Sequence, residues 1–129
     1  MGFLSKRSEE LLSVLRIITA FLFIQHGTQK LFSFPIDARG AYDLWTLSPG
    51  AAALIEVILG PLMLVGLFTR VNAFVLSGFS AFAYFIAHAP RGFFPIGNGG
   101  ESAVLYCFVF LYIAAAGGGK WSIDALRSR

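Results

Sequence analysis

Residues 50–88 read GAAALIEVILGPLMLVGLFTRVNAFVLSGFSAFAYFIAH. Two apolar runs, 50–68 and 71–88, are separated by Thr69 and Arg70 alone. As helices rising about 1.5 Å per residue, each covers roughly 27 Å, close to the roughly 30 Å hydrocarbon core of a bilayer. A two-residue link permits only an antiparallel helical hairpin between them. The second run contains no Asp, Glu, Lys or Arg, so nothing in it objects to lipid.

The same reading extends outward. Residues 11–32 and 101–117 form two further apolar runs of spanning length, giving four spans. The whole chain of 129 residues is 57% apolar and only 13% charged, with a mean hydropathy of +0.73. A domain this small leaves much of its surface exposed, so that much apolar surface cannot be hidden from water. The expected fold is therefore an all-α integral membrane four-helix antiparallel bundle, with residues 1–129 forming a single domain.

Composition excludes several alternatives. Disorder requires low hydrophobicity and high net charge, and the chain has neither. The single cysteine, Cys107, forbids an internal disulfide, a Cys-x-x-Cys redox pair and an all-cysteine zinc site. The formal charge of +3 is spread along the chain without a basic run, so nucleic acid is not an expected partner. There is no Walker loop, no GxGxxG and no internal repeat; the glycines at 117–119 follow a helix, not a strand.

The basic residues report topology. With the N-terminus cytoplasmic, Lys6, Arg7, Arg16, Arg70, Lys120, Arg127 and Arg129 lie inside, against Lys30, Arg39 and Arg91 outside, which places both termini in the cytoplasm. Lys6 and Arg7 before an apolar run also resemble a signal peptide, but residues 25–30 offer no small-x-small cleavage site, so the first span is expected to be retained. Residues 34–49 and 89–100, rich in Pro and Gly, read as interfacial loops, with Phe93 and Phe94 dipping into the headgroups. Arg16 and Arg70 read as snorkelling anchors, and Ser122 as the cap of a short terminal turn.

Ionisable residues inside a span are costly and mark either an ion pair or a functional pocket. Glu56 lies about 9 Å below the outer end of the second span and His26 at a similar depth in the first, while His88 closes the third span and Glu101 opens the fourth. Lys30 shares a helix face with His26, and Tyr84 shares one with Ser77, Ala81 and His88; below Glu101 runs the stripe Leu105, Phe108, Tyr112. Pro61 should free the carbonyl of Val57 and kink the second span beneath Glu56. Two readings of this constellation stand side by side. Glu56 with Lys30 or a histidine locks the bundle as an ion pair, or the group handles protons, since an imidazole beside a desolvated carboxylate is equipped to exchange them. Residues 98–100 allow a tight turn before Glu101, and N–H groups there could hold an anion or a carbonyl oxygen. No HxxxH or ExxH pair is present, so neither metal nor haem is expected.

The motifs HGTQKLF at 26–32, Ile55-Glu56-Val57, GLFTR at 66–70, and above all the block from Ala83-Tyr84-Phe85 through His88, Pro90, GFFPI at 92–96 and NGGE at 98–101 to Leu105-Tyr106-Cys107, with Trp121-Ser122-Ile123-Asp124 at the end, resemble the DoxX family of small membrane proteins. The similarity runs over residues 10–125. It implies a four-helix multi-pass protein of the bacterial cytoplasmic membrane. The family takes its name from an archaeal thiosulfate:quinone oxidoreductase in which a DoxX-like portion accompanies a partner, so the resemblance also implies a redox setting. It supplies no catalytic residue.

The functional expectation is a quinone-linked redox-associated subunit. Glu56, His88 and His26 would handle protons, and Lys30, Tyr84, Asn98 and Glu101 would contact the quinone, while a partner protein supplies electrons. The rival expectation is a non-catalytic accessory subunit of a larger membrane complex. A small-molecule or lipid carrier is a third, for which the broken inverted repeats are missing.

Overall fold

The computed structural model describes residues 2–32 and 49–128, with side chains over 2–29 and 53–128. Among them all regular elements are helical: α1 (Gly2–Ser5), α2 (Ser8–Phe32), α3 (Pro49–Val65), α4 (Thr69–Ala83), α5 (Pro95–Asn98), α6 (Glu101–Ala116) and α7 (Ile123–Arg127). A π-helical turn, Tyr84–His88, and a 3-10 turn, Ala89–Arg91, prolong α4. The expected loop at 34–49 lies outside the described residues except for Pro49, which opens α3. The loop at 89–100 contains single helical turns where none was expected, because Pro90 and Pro95 each sit in the first turn, where the missing N–H costs nothing.

Two segments, Ser8–Gln29 and Thr69–Arg91, are long and apolar enough to cross a membrane; Ala53–Val65 and Glu101–Ala116 are apolar but shorter. The outward faces carry large apolar side chains, among them Ile18, Ile58, Phe74 and Phe108, each more than half exposed. The inside carries Ser13, Thr19, Glu56, Asn72, Ser77 and Ser80 next to Ala20, Leu76 and Ile113. Grease outside and hydroxyls inside is the arrangement of a membrane protein.

The long helices pack as two close pairs, α2 on α3 and α4 on α6, joined by lighter contacts of α3 with α4 and α2 with α6. In the second pair, Arg70 bonds the carbonyl of Ala115, Ser77 that of Cys107, and Tyr84 lies against Gly100: as one number climbs the other falls, so the helices are antiparallel. In the first pair, Gly27 abuts Val57 and Gly60 abuts Ile24, again antiparallel. A Cβ at Gly27 would stand 2.7 Å from Val57 Cγ1, so only glycine allows this approach. Asn72 of α4 donates to the carbonyl of Leu59 at 3.1 Å, and α3 runs unbroken through Pro61. Phe23 sits where the pairs meet, edge-on to Phe79, Tyr106 and Phe110.

The start of α2 and the segment after α6 lie at one end of the molecule, here the terminal end. Ser13 donates to the carbonyl of Gly118 at 3.0 Å and accepts from the N–H of Trp121 at 2.9 Å. Arg16 does not snorkel. It is fully buried, donating to the carbonyls of Gly118, of Trp121 at 2.8 Å and of Leu64 at 3.4 Å. The Leu64 carbonyl lies in the last turn of α3 and those of Gly118 and Trp121 come just after α6, where helices leave acceptors unsatisfied, and a forked cation meets several at once. Ser122 caps α7 through the N–H of Ala125 at 3.1 Å, as its position before the helix suggests. Asp124 of α7 in turn accepts from Phe68 N–H at 2.9 Å and Thr69 N–H at 2.8 Å, capping α4 from outside.

Candidate functional site

At the opposite end the polar residues gather around Asn98, which is 1% exposed. Its side-chain amide donates to the Tyr84 hydroxyl at 3.0 Å and to the Gly92 carbonyl at 2.9 Å, and its Oδ1 accepts from Gly100 N–H at 2.9 Å. The Tyr84 hydroxyl donates onward to the Phe93 carbonyl at 3.4 Å. The main-chain carbonyl of Asn98 faces His88 Nδ1 at 3.2 Å. A carbonyl only accepts, so this bond requires the proton on Nδ1 and leaves Nε2 as the basic nitrogen of a neutral ring. Tyr84 and His88 are the two ends of the π-helical turn, their rings 6.4 Å apart. Such widened turns recur at functional sites. Gly100 keeps the arrangement open, since a Cβ there would lie 2.6 Å from the Tyr84 ring.

Glu56 forms the centre of a second group. It is 3% exposed, with its Cβ against Gly27 of α2, and within electrostatic reach of Tyr106 on α6. His26 stands edge-on to the same tyrosine, ring centres 5.8 Å apart. Tyr106 stacks on Phe110, whose ring lies 6.0 Å away.

The predicted site residues thus fall into place unevenly. Tyr84, His88 and Asn98 converge directly, while Glu56 and His26 are each related to Tyr106, the first buried and the second exposed. The side chain of Lys30 lies outside the described residues. Glu101 is exposed on the first turn of α6, and the stripe below it, Leu105, Phe108 and Tyr112, turns outward, each more than half exposed. The face that α6 buries is instead Phe110 and Ile113, with Tyr106 packed alongside. That helix is apolar on every side, so periodicity could not select its inner face. Tyr106 was missed for that reason, although its spacing to Phe110 and Ile113 forms an equally regular stripe. Among the described residues no three His, Cys, Asp or Glu side chains are grouped closely enough to hold a metal ion.

The family model described as DoxX matches residues 11–89, from the first turns of α2 to the start of the 3-10 turn. The chain belongs to the DoxX family. A relative from Haemophilus influenzae, described only as an uncharacterized protein, is 44% identical over 131 residues and covers 96% of both chains. A second from the same organism, described in the same words, is 28% identical over 89% of this chain and 82% of its own length. No solved structure matches. Within this DoxX protein the family match takes in His26, Glu56, Tyr84 and His88, while Asn98, Glu101 and Tyr106 lie beyond it.

Proposed function

We propose that this DoxX protein is a four-span protein of the bacterial cytoplasmic membrane, both termini cytoplasmic, acting as the quinone-linked subunit of a redox complex. The observation that carries the reading is the enclosure of Glu56, 3% exposed on an otherwise apolar helix and within electrostatic reach of Tyr106. A carboxylate withdrawn from lipid and water in this way has its proton affinity set by whatever occupies the neighbouring space.

Reduction of a quinone consumes two electrons and two protons. In this reading the electrons come from the partner protein. Glu56 delivers one of the two protons, and His88, having taken up a proton at Nε2 from the outer side, delivers the other at the end facing away from the termini. The positive-inside excess at the terminal end supports the orientation.

The test is extraction and mass spectrometry of the detergent-purified protein. Quinone should copurify with the wild type and be lost from Glu56→Gln with helicity unchanged. A wild type that yields no quinone but holds one stoichiometric protein partner would replace this reading with the accessory-subunit one.

A further inference from the structure

The segment between α4 and α6 carries an apolar tip at the end away from the termini. Phe93 is 86% exposed, Phe94 68% and Ile96 85%, and the two phenyl rings stand edge-on with centres 5.1 Å apart. The carbonyls of this tip do not need water. Four in succession receive a donor from the protein: Gly92 from the Asn98 amide at 2.9 Å, Phe93 from the Tyr84 hydroxyl at 3.4 Å, Phe94 from the N–H groups of Gly97 and Asn98 at 3.0 Å each, and Pro95 from the N–H of Gly100 at 3.3 Å. Lipid tails offer no donors, so a loop enters them only when its carbonyls are served in this way.

The position of the tip fits the same environment. Thr69–Arg91 is 23 residues long, about 35 Å as helix against a hydrocarbon core of roughly 30 Å, so Arg91 lies at a membrane surface. The chain then reverses at Gly92, whose φ is +154°, and Phe93 returns to the Tyr84 hydroxyl, two turns back from Arg91. The tip therefore folds back along the end of α4 towards the bilayer instead of rising into water. Arg91, exposed at its foot, suits the level of the headgroup phosphates. Three large apolar side chains gathered at one tip mark an interaction surface. We propose that residues 92–97 form an apolar finger immersed among the acyl chains just below the headgroups of the leaflet farther from the termini. Phe93, Phe94 and Ile96 enter the lipid, while Tyr84 and Asn98 serve the main chain from the protein side. The sequence places Phe93 and Phe94 at the headgroups; the fold adds Ile96, the reversal and the reason the backbone tolerates lipid. The finger rests on the spanning part of the proposed function and is independent of the quinone part.

The experiment is tryptophan fluorescence of the full-length protein in bilayer nanodiscs, each variant read against the wild type, whose two tryptophans give the background. Phe94→Trp and Ile96→Trp should each lose most of their added emission to phospholipids brominated on the upper part of the acyl chain, less to chain-end bromines and little to iodide in the water. Phe82→Trp, at an exposed position of α4, reports the span itself and should also be quenched by bromine. Both tip positions are exposed, so either variant alone suffices if the other misfolds. Quenching of Phe82→Trp by bromine while the tip variants respond to iodide alone would overturn the finger and leave the span standing. Tip variants quenched by neither agent would put protein over Phe94 and Ile96, which also overturns it. If Phe82→Trp escapes bromine too, the spanning reading fails and the finger with it.

Discussion

The Arg16 guanidinium donates to the main-chain carbonyl of Trp121 at 2.8 Å, closing a loop of 105 residues between α2 and the segment before α7. With Gly118 and Leu64 on the same side chain, one residue ties three parts of the chain together. Arg16→Met removes the donor and leaves buried carbonyls unsatisfied, which should cost about 3 kcal/mol. In detergent this should lower the thermal midpoint by roughly 10 °C. Arg16→Lys should recover only part of the loss, since an ammonium cannot fork between separated acceptors. A midpoint unmoved in Arg16→Met would show that the knot contributes nothing.

Asp124 gives the terminal end a pH dependence. Burial by itself would raise its carboxyl, but hydrogen bonds from Thr69 and Phe68 and the nearby Arg127 hold it below its ordinary value. A group depressed in the fold contributes stability that is complete above its unfolded pKa, about 3.9, and is lost as pH falls through the folded value. The thermal midpoint of the wild type should therefore fall from pH 5 to pH 3 more steeply than that of Asp124→Asn. The variant itself should be about 1 kcal/mol less stable at pH 7, the usual cost of a lost helix cap. Parallel acid slopes for the two proteins would contradict this.

Much of the architecture was legible because its signals are local. The shortness of the link, the apolar run lengths and the Ser122 cap each depend on neighbours in sequence; the link itself lies at residues 66–68, with Thr69 and Arg70 opening α4 and not joining the two helices as expected. The stripe Ser77, Ala81, Tyr84, His88 was readable because α4 has a polar side to contrast with its apolar one. What was hidden depended on contacts distant in sequence. Nothing near Arg16 announces that the carbonyls of Gly118 and Trp121 will arrive beside it, and nothing in α6 distinguishes Tyr106 from Tyr112 until Phe23 packs against the former. The convergence of Tyr84 and His88 on Asn98 was half visible, since the residues were identifiable but the π-helical turn that aims them was not.

Two glycines make a paired test of the packing. At Gly27 a Cβ would stand 2.7 Å from Val57 Cγ1 and 2.8 Å from Glu56 Cβ, so Gly27→Ala forces α2 and α3 apart at the buried carboxylate. The cost should be about 2 kcal/mol, typical of overpacking. At Gly78 nothing lies within 4 Å, so Gly78→Ala should be neutral or gain up to about 1 kcal/mol from helix propensity. Comparing the two midpoints in the same detergent removes propensity from the difference. Similar shifts in both variants would mean that the tight approach of α2 to α3 is not what limits residue 27.

The last prediction concerns Asn98 and the proton of His88. Asn98→Ala deletes the donors to Tyr84 and Gly92 and the acceptor for Gly100, so the turn that presents its own carbonyl to His88 loses its support. Because Asn98 is 1% exposed, water does not replace those bonds freely, and the loss should be about 2 kcal/mol. The more informative readout is nitrogen NMR of His88. In the wild type the neutral ring should carry its proton on Nδ1, held by the carbonyl; in Asn98→Ala the two neutral tautomers should mix. Glu101→Gln is the control, since Glu101 is exposed and shares none of these bonds, and it should leave the His88 spectrum unchanged. If His88 in the wild type already samples both tautomers, the Asn98 carbonyl does not orient it, and the basic Nε2 assigned to proton exchange has no structural support.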